Sequence, residues 1–389
     1  MSNLEALLLL CICSGAFLMP FISRRLLLPS AVGEILFGLF IGLFFKQAFH
    51  KTTIISFLGE LGFILLMYLA GLEINFEKIK TTPKKELYLY TCLIGLVVAF
   101  SFLLTSYFQQ APIYTLIYLT TAIGLLYPVL KETGILGKDI GQKLLIIGSI
   151  GEVVSLVALT VFILYHHFGI SLEFAAHLGR LAAFLLGTYI IYRLFRLLVW
   201  WFPWLVRPFL KSSDPMESSI RANFVNLFIF VGLAALLEME LIVGAFLGGM
   251  AFALIFKKRE EIQYKISGIA YGFLIPVFFI EVGLRFDIKD FLSIQVLVMA
   301  VVISVIIFFV RALASLVLLL SPLNLIEIVL VPVSTAFPLT LLAAIATFGL
   351  EHKILTENQA AAILLAAILT AVIYPFLMKK MIKLLQRNK

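Results

Sequence analysis

Long apolar stretches separated by short polar connections follow one another along the whole chain. As helices, stretches of about 17 to 25 residues cross the ~30 Å hydrocarbon core of a bilayer, where each backbone has to satisfy its own hydrogen bonds. We therefore predict an all-α polytopic membrane protein with about thirteen transmembrane helices. The predicted spans are residues 4–22, 27–45, 54–72, 87–108, 112–131, 142–165, 174–201, 220–237, 240–256, 266–284, 292–320, 325–349 and 357–378.

The composition supports this prediction. Hydrophobic residues make up 62% of the 389 residues, charged residues make up 13%, and the mean hydropathy is +1.10. A soluble domain of this length could not cover its surface with so few polar groups. No basic residue precedes the first span and "SRR" follows it, so we expect a retained helix rather than a signal peptide.

The distribution of Lys and Arg predicts the orientation of the chain. If the N-terminus lies outside, the cytoplasmic connections and the C-terminus contain 23 of the 30 basic residues, the opposite side contains 6, and Arg311 lies within a span. Basic residues are enriched on the cytoplasmic side of membrane proteins. We therefore expect the N-terminus outside and the C-terminus in the cytoplasm of a multi-pass inner-membrane protein, and the net charge of +8 does not indicate nucleic acid.

Three segments of the first half recur in the second half at nearly constant spacing. The segment "AVGEILFGLFIG" is echoed by "IVGAFLGGMAFA" 211 residues later, and "YLAGLEINFEKI" by "FIEVGLRFDIKDF" 212 residues later. A weaker echo, 214 residues later, relates "LTTAIGLLYPVL" to "VSTAFPLTLL". Seven spans, an odd number, separate the copies, so the two halves are predicted to have opposite orientations. Inverted repeats are typical of secondary transporters.

The repeat divides a single transmembrane domain, residues 1–389, into three parts. We predict a first inverted repeat over 1–165, a joining helix and cytoplasmic linker over 166–219, and a second repeat over 220–389. In the third echo, Thr121 aligns with Thr335, and Thr121 and Pro128 of span 5 are predicted to face Thr335 and Pro338 of span 12. Proline removes a donor and hydroxyl groups supply substitute partners, so we expect both helices to be interrupted; ordinary proline kinks are the alternative.

Four ionisable side chains stand well inside the predicted spans: Glu34, Glu152, Glu281 and Arg311. A charge at mid-membrane is unfavourable unless it is paired or hydrated, so each marks a candidate functional position. Glu152 is central in "LLIIGSIGEVVSLVALTVFIL", residues 144–164. Because burial opposes the charge of a carboxylate, a proton and a small cation would compete for Glu152. The alternative is a structural acid held by Arg311.

The other three charges have structural alternatives. Arg311 keeps its proton and needs a carboxylate or a cluster of helix C-terminal carbonyl groups as partner, so we expect it to stabilise the core. Glu281 lies near the end of its span, where a solvated position is the alternative. For Glu34 a structural hydrogen-bonding role is favoured.

Motifs of other protein classes are missing from the sequence. Cys11, Cys13 and Cys92 lie inside predicted spans with no His or acid nearby, so we interpret them as helix-wall residues and predict no cofactor and no bound metal. The five histidines show no ligand spacing. No combination of nucleophile, base and orienting group supports an enzyme.

Four segments together resemble the monovalent cation:proton antiporter family, which includes bacterial sodium/proton exchangers and Kef-type membrane domains. They are "LPSAVGEILFGLFIG", "GELGFILLMYLAGLEINFEKIK", "YPVLKETGILG" and "IPVFFIEVGLRFDIKDF", and the resemblance extends in order over essentially the whole chain. It implies a sodium/proton antiporter-like fold, in which two discontinuous helices cross in a core domain. It also implies a dimerisation domain, so we expect a homodimer.

The resemblance assigns roles to individual residues. Span 6 of the family usually bears two adjacent acidic or Asn-Asp residues, and the second binds the ion and carries the proton. Glu152 matches this second residue, whereas Gly151 occupies the first position. Thr120 and Thr121 match the polar residues at the break of span 5, and Arg311 matches the basic residue of span 11.

Two positions depart from the family pattern. Phe337-Pro338-Leu339 stands where span 12 often has a Gly-Glu pair, and Glu281 replaces a small residue, so that it could supply a second acid or pair with Arg311. The missing first acid makes an electroneutral exchange of one cation for one proton the simpler expectation. We expect no nucleotide-binding or regulatory domain after residue 389, so that a gated Kef-type architecture is absent or supplied by another subunit, and a plain exchanger is favoured.

Taken together, these features predict secondary active antiport of Na⁺ or K⁺ against H⁺ by alternating access. Glu152 would be the shared site, with Thr120, Thr121 and Ser149 as oxygen ligands. The expected partners are the two ions and the lipid bilayer. A carrier of an organic substrate on the same fold and a transport-inactive membrane sensor remain alternatives; the first would show cation-independent proton flux, and the second would show none.

Overall fold

The computed structural model describes residues 3–26, 28–49, 53–74, 76–201, 217–255, 260–286, 288–291 and 293–387. Every regular element among them is helical. The helices are α1 (Asn3–Arg25), α2 (Ser30–Phe49), α3 (Thr53–Glu73), α4 (Phe76–Thr81), α5 (Lys84–Tyr107), α6 (Ile113–Leu119), α7 (Leu126–Glu132), α8 (Asp139–Phe168), α9 (Leu172–Trp201), α10 (Ser218–Leu236), α11 (Leu241–Ile255), α12 (Glu260–Ile269), α13 (Ile275–Leu284), α14 (Ile288–Phe291), α15 (Ile294–Ser315), α16 (Leu325–Thr335), α17 (Leu339–Glu351) and α18 (Glu357–Arg387). A π-helical turn (Ala270–Leu274) joins α12 to α13, and a 3₁₀ turn (Leu316–Leu320) extends α15.

These helices confirm the predicted all-α fold with 13 spans. Helices α4 and α14 are short connections, while α6–α7, α12–α13 and α16–α17 each form one span. Within the described ranges, 9 helical segments are long and apolar enough to cross a membrane. Shorter apolar segments in α2 and α11, the interrupted α6–α7 and the helix α9 account for the other predicted spans.

Local signals explain where several helices begin and end. Helix α5 begins directly after Pro83, whose missing N–H is no loss at a helix start. Helix α16 begins after Asn324, whose backbone N–H donates to the Glu327 carboxylate at 3.1 Å, as in a capping box. Gly169 ends α8 with a φ of +59°, a conformation that glycine adopts without a Cβ clash.

The chain divides into two compact units. The first unit comprises Met1–Ile55, Glu77–Ser155 and Phe279–Lys389, and the second comprises Ser56–Phe76 and Leu156–Phe278. Each unit contains helices from both predicted repeats, so the units are not the repeats themselves. The division into repeats at 1–165 and 220–389 stays a prediction, and residues 202–216 of the predicted joining helix and linker, 166–219, lie outside the described residues.

In the first unit, α15 packs against α5, α6, α16 and α18 on one side, and it exposes Val298, Val302 and Phe309 on the other. Helix α2 meets the end of α13 through two glycines. A Cβ atom on Gly38 would lie 3.0 Å from the Cα atom of Gly283, and one on Gly283 would lie 2.9 Å from the Cα atom of Gly38. Only residues without a side chain allow these two backbones to touch.

In the second unit, Gly71 of α3 and Gly249 of α11 make the equivalent contact. A Cβ atom on either residue would lie 3.1 Å from the Cα atom of the other. Gly249 corresponds to Gly38, and Gly71 to Gly283, in the two stronger sequence echoes. A buried hydrogen bond of 2.8 Å from the Tyr68 hydroxyl group to Asn223 also joins α3 to α10.

Candidate functional site

The first interrupted helix breaks where two threonines follow one another. Helix α6 ends at Leu119, residues 120–125 are not helical, and α7 begins at Leu126. Thr120 and Thr121 are both buried. Their hydroxyl groups donate to carbonyl groups of their own segment, Thr120 to Leu116 and Thr121 to Leu119 at 3.3 Å. A hydroxyl oxygen that donates its proton in this way still has lone pairs for a cation.

The second interrupted helix breaks at the predicted proline. Helix α16 ends at Thr335 and α17 begins at Leu339, directly after Pro338. The Thr335 hydroxyl group donates to the carbonyl group of Val331 at 2.9 Å. Pro128, the proline expected to interrupt span 5, lies on α7 after the first break, and its side chain lies outside the part that the structure describes.

Arg311 of α15 binds the carbonyl groups at the ends of both half-helices. Its Nη1 atom donates to the Tyr118 carbonyl oxygen at 2.9 Å, its Nη2 atom donates to the Thr120 carbonyl oxygen, and its Nε atom donates to the Thr335 carbonyl oxygen at 3.0 Å. The last carbonyl groups of a helix lack intrahelical partners and carry negative partial charge. The fork of guanidinium donors satisfies both sets at once.

This geometry decides between the two partners that the sequence left open for Arg311. Arg311 is only 2% exposed, and the hydrogen bonds of its guanidinium group in the described part of the chain all go to backbone carbonyl groups, including that of Ile307 at 2.7 Å. No carboxylate pairs with it there. Arg311 therefore does not hold Glu152 as a structural acid.

Glu152 faces the non-helical segment between α6 and α7. It is 1% exposed on α8, and its Oε2 atom accepts a 3.4 Å hydrogen bond from the backbone N–H of Ile123. This is its one hydrogen bond within the described ranges. A buried carboxylate with a single long hydrogen bond has most of its lone pairs available for a proton or a cation.

Two glycines allow the non-helical segment to approach α8. A Cβ atom on Gly148 would lie 2.7 Å from the side chain of Ile123, and one on Gly151 would lie 2.8 Å from the side chain of Thr121. The Thr121 side chain therefore occupies the space that a side chain at position 151, directly before Glu152, would need. Ser149 is buried on the same helix, and no hydrogen bond of its side chain is found in the described residues.

The sequence did not single out Ser155, which binds the same segment. Its Oγ atom accepts a hydrogen bond from the Thr121 N–H at 2.8 Å and donates to the carbonyl group of Gly151 at 2.7 Å. Ser155 lies three residues after Glu152, on the same face of α8. A hydroxyl group at this spacing from a buried acid is the signal that could have identified it.

The remaining candidate acids lie elsewhere. Glu281 of α13 pairs with Arg285 at 2.7 Å, and Arg285 also pairs with Glu351. The structure thus gives Glu281 a different partner from Arg311, because Arg285 follows four residues later on the same face. Glu34 of α2 is buried, and its carboxylate makes no hydrogen bond or ion pair with a described residue.

Comparisons with known proteins identify the family. The model of the sodium/hydrogen exchanger transmembrane domain matches residues 13–383. The putative Na⁺/H⁺ antiporter YjbQ of Bacillus subtilis is 27% identical over 396 aligned residues, which cover 95% of this chain and 62% of that protein. The Na⁺/H⁺ antiporter of Enterococcus hirae is 28% identical over 69% of this chain and 70% of that protein.

A third relative and a solved structure extend the comparison. The Na⁺/H⁺-K⁺ antiporter GerN of Bacillus cereus is 24% identical over 68% of this chain and 67% of that protein. The sodium proton antiporter MjNhaP1 of Methanocaldococcus jannaschii has a similar fold, with a TM-score of 0.66 and 16% identity over 97% of this chain and 96% of that one. Because the family model matches nearly the whole sequence, the chain belongs to the sodium/hydrogen exchanger family.

Proposed function

We propose that the chain exchanges a monovalent cation, Na⁺ or K⁺, for H⁺ by alternating access. The observation that carries this proposal is the state of Glu152, which is buried at the break of an interrupted helix with one 3.4 Å hydrogen bond and no cationic partner among the described residues. A carboxylate in this position is able to hold either a proton or a cation. The proton then has to leave Glu152 before the cation binds, and the reverse, so the flux of protons is coupled to the flux of cations.

The oxygen atoms around Glu152 suit a cation without its water shell. Na⁺ and K⁺ are bound through oxygen, and Thr120, Thr121 and Ser149 bring three buried hydroxyl groups to the two segments that meet at Glu152. We propose these residues as ligands, together with carbonyl groups left free at the break. The carbonyl groups of Tyr118, Thr120 and Thr335 are not among the proposed cation ligands, because Arg311 already donates hydrogen bonds to them.

Arg311 acts as a fixed positive charge in this proposal. It compensates the negative ends of α6 and α16 and holds the two interruptions at the same depth. Because guanidinium does not release its proton, Arg311 cannot act as a carrier. The transported charge is then set by one carboxylate, and we propose an electroneutral exchange of one cation for one proton.

The names of the relatives support both candidate cations. Two of them are called Na⁺/H⁺ antiporters and a third a Na⁺/H⁺-K⁺ antiporter. The chain spans 62% of the length of the Bacillus subtilis relative. We further propose an inner-membrane homodimer with the N-terminus outside and the C-terminus in the cytoplasm, on the basis of the basic connections and the family resemblance.

Proteoliposomes that contain the purified protein and a pH-sensitive dye inside test this proposal. After acid loading, external Na⁺, K⁺ or Li⁺ is added in turn, with choline as the control cation. We expect alkalinisation of the lumen with at least one alkali cation, and the same rate when the membrane potential is clamped at different values. A folded protein that moves no protons with any of them would exclude exchange and leave the sensor or the organic-substrate carrier.

A further inference from the structure

We infer that Ser155 is a positioning residue that keeps the non-helical segment in register with Glu152 during exchange. This inference rests on the proposed function, because it concerns the site at which the two ions would alternate. The first observation is the way in which residues 120–125 are held. The Thr120 N–H still donates to the Leu116 carbonyl group at 2.9 Å, whereas the N–H groups of Thr121 and Ile123 no longer bind the carbonyl groups of a continuous helix.

Two side chains of α8 supply partners for two of these N–H groups. Ser155 accepts the N–H of Thr121 at 2.8 Å, and Glu152 accepts the N–H of Ile123 at 3.4 Å. Residues 121 and 123 are two apart, which in extended backbone directs both N–H groups to the same side. Ser155 and Glu152 are three apart, which places both acceptors on one face of α8.

The two hydrogen bonds differ in how exchange would affect them. The carboxylate of Glu152 changes its ligand in each cycle, and its bond to Ile123 is already long. Ser155 has no ionisable group, and its hydroxyl proton is donated to the carbonyl group of Gly151 at 2.7 Å, which orients a lone pair toward Thr121. The bond from Thr121 to Ser155 therefore persists when Glu152 is protonated and when it binds a cation.

Loss of this bond would act on cation binding. The Thr121 N–H is buried, and a buried donor without an acceptor is unfavourable, so the segment would shift to find another partner. Such a shift would move the hydroxyl groups of Thr120 and Thr121 away from Glu152. Protonation of Glu152 needs none of these ligands, so proton release at saturating cation would be less affected.

The chain offers a matched control on the same helix. Thr160 is buried on α8, and its hydroxyl group donates to the carbonyl group of Leu156, four residues earlier, at 2.9 Å. Ser155 makes the same kind of bond to Gly151, but it additionally accepts an N–H from another segment. Thr160→Val therefore removes only a hydrogen bond to a carbonyl group of its own helix. Ser155→Ala removes a bond of that kind and, in addition, the hydrogen bond from the Thr121 N–H.

The test compares cation-triggered proton flux of wild type, Ser155→Ala, Ser155→Thr and Thr160→Val in proteoliposomes. We expect the apparent KM for the transported cation to rise about tenfold in Ser155→Ala, equivalent to about 1.4 kcal/mol. The maximal rate should stay within about twofold of wild type. Ser155→Thr, which keeps the hydroxyl group, should restore the KM, and Thr160→Val should leave it unchanged.

Three outcomes would overturn the inference while leaving exchange intact. They are a wild-type KM in folded Ser155→Ala, a loss of maximal rate with an unchanged KM, and an equal rise of the KM in Thr160→Val. If Ser155→Ala does not fold, Ser155→Cys replaces it, since a thiol is a weaker hydrogen-bond partner, and the same rise in KM is expected. A wild-type protein without flux would overturn the proposed function itself, before any variant is compared.

Discussion

The Oε2 atom of Glu152 lies 3.4 Å from the backbone nitrogen of Ile123, in the segment that separates α6 from α7. The acid of the site is therefore bound to peptide backbone, while the buried arginine nearby in the fold, Arg311, binds carbonyl groups. This arrangement keeps the permanent positive charge away from direct pairing with the exchangeable carboxylate. It leaves Glu152 able to change its ligand without breaking a salt bridge.

Arg311 should not be replaceable by lysine. Lysine keeps the positive charge, but its single nitrogen atom cannot reach the carbonyl groups of Tyr118, Thr120 and Thr335 together. Loss of one or two charge-assisted hydrogen bonds corresponds to about 1.5 to 3 kcal/mol each. We expect Arg311→Lys to lower the Tm of the detergent-solubilised protein by several degrees and to abolish exchange.

Arg285→Lys serves as the comparison for Arg311→Lys. Arg285 is partly exposed and its partners are the carboxylates of Glu281 and Glu351, which lysine also pairs with. Its Tm should change much less. Equal Tm values for Arg311→Lys and wild type would mean that the fork of three carbonyl contacts does not stabilise the breaks.

The glycine contacts between α2 and α13 should be intolerant of a methyl group. Alanine at Gly38 or Gly283 would place its Cβ atom about 3 Å from the opposing Cα atom, closer than carbon atoms pack. Overpacking of this kind destabilises a protein by about 1 to 3 kcal/mol. The yield of monodisperse protein and its Tm measure the effect. Gly95→Ala on α5, where a Cβ atom meets nothing within 4 Å, is the control and should be neutral.

The pair Gly71 and Gly249 makes an independent comparison. If the internal repeat has the same packing role in both halves, Gly71→Ala and Gly249→Ala should lower the Tm by a similar amount to Gly38→Ala and Gly283→Ala. A neutral effect at one pair and a large effect at the other would argue against equivalent roles for the two contacts.

Gly151 should reject a second acid. A side chain there would meet the Cβ and Cγ2 atoms of Thr121 at 2.9 and 2.8 Å, so the segment beside Glu152 would have to move. We expect both Gly151→Ala and Gly151→Asp to reduce the exchange rate at least about tenfold, which corresponds to about 1.4 kcal/mol. Gly232→Ala, at an open position of α10, should transport normally. An active Gly151→Asp protein whose flux responds to membrane potential would show that this position has room for a second acid.

Glu238, in the connection between α10 and α11, predicts a dependence of stability on acid pH. The hydrogen bond from Arg180, followed by that from His177, holds the pKa of Glu238 below its usual value of 4.5. A carboxyl group with a lowered pKa in the folded state stabilises the protein above its unfolded pKa, and this contribution is lost as the pH falls through the folded value.

Thermal unfolding between about pH 6 and about pH 3 measures this loss, which should be small because Glu238 is exposed. Wild type should lose more of its Tm over this range than Glu238→Gln, which has no carboxylate to protonate. Glu357→Gln, at an exposed acid of α18, should follow wild type. Parallel curves of Tm against pH for wild type and Glu238→Gln would show that the ion pair between Arg180 and Glu238 does not stabilise this connection.

The helices and the second interruption could be predicted from the sequence because each has a local cause, whereas Pro128, the proline expected to interrupt span 5, lies inside α7 after the first break. Span length follows from bilayer thickness, and the second break follows from Pro338, which cannot donate a hydrogen bond. Glu152 could be selected because a lone acid in an apolar stretch is unfavourable without a purpose.

The partners of these residues could not be predicted in the same way. Helix-end carbonyl groups and carboxylates both satisfy an arginine, so only the fold decides which of them Arg311 binds. From the sequence, Gly151 lacks the acid that the family has there and should leave free space beside Glu152. In the fold, the Thr121 side chain occupies that space. Ser155 looks like any serine bonded to its own helix, because its second hydrogen bond is made to a segment 34 residues away.

The most direct test of the central claim compares Glu152→Gln with Glu281→Gln in acid-loaded proteoliposomes. Both substitutions remove one buried carboxylate and keep the size of the side chain, and Arg285 keeps Glu351 as a partner when Glu281 is changed. We predict that proton flux triggered by Na⁺ or K⁺ falls to background in Glu152→Gln and persists in Glu281→Gln. Flux that survives in folded Glu152→Gln and disappears in Glu281→Gln would contradict the assignment of Glu152 as the exchange site.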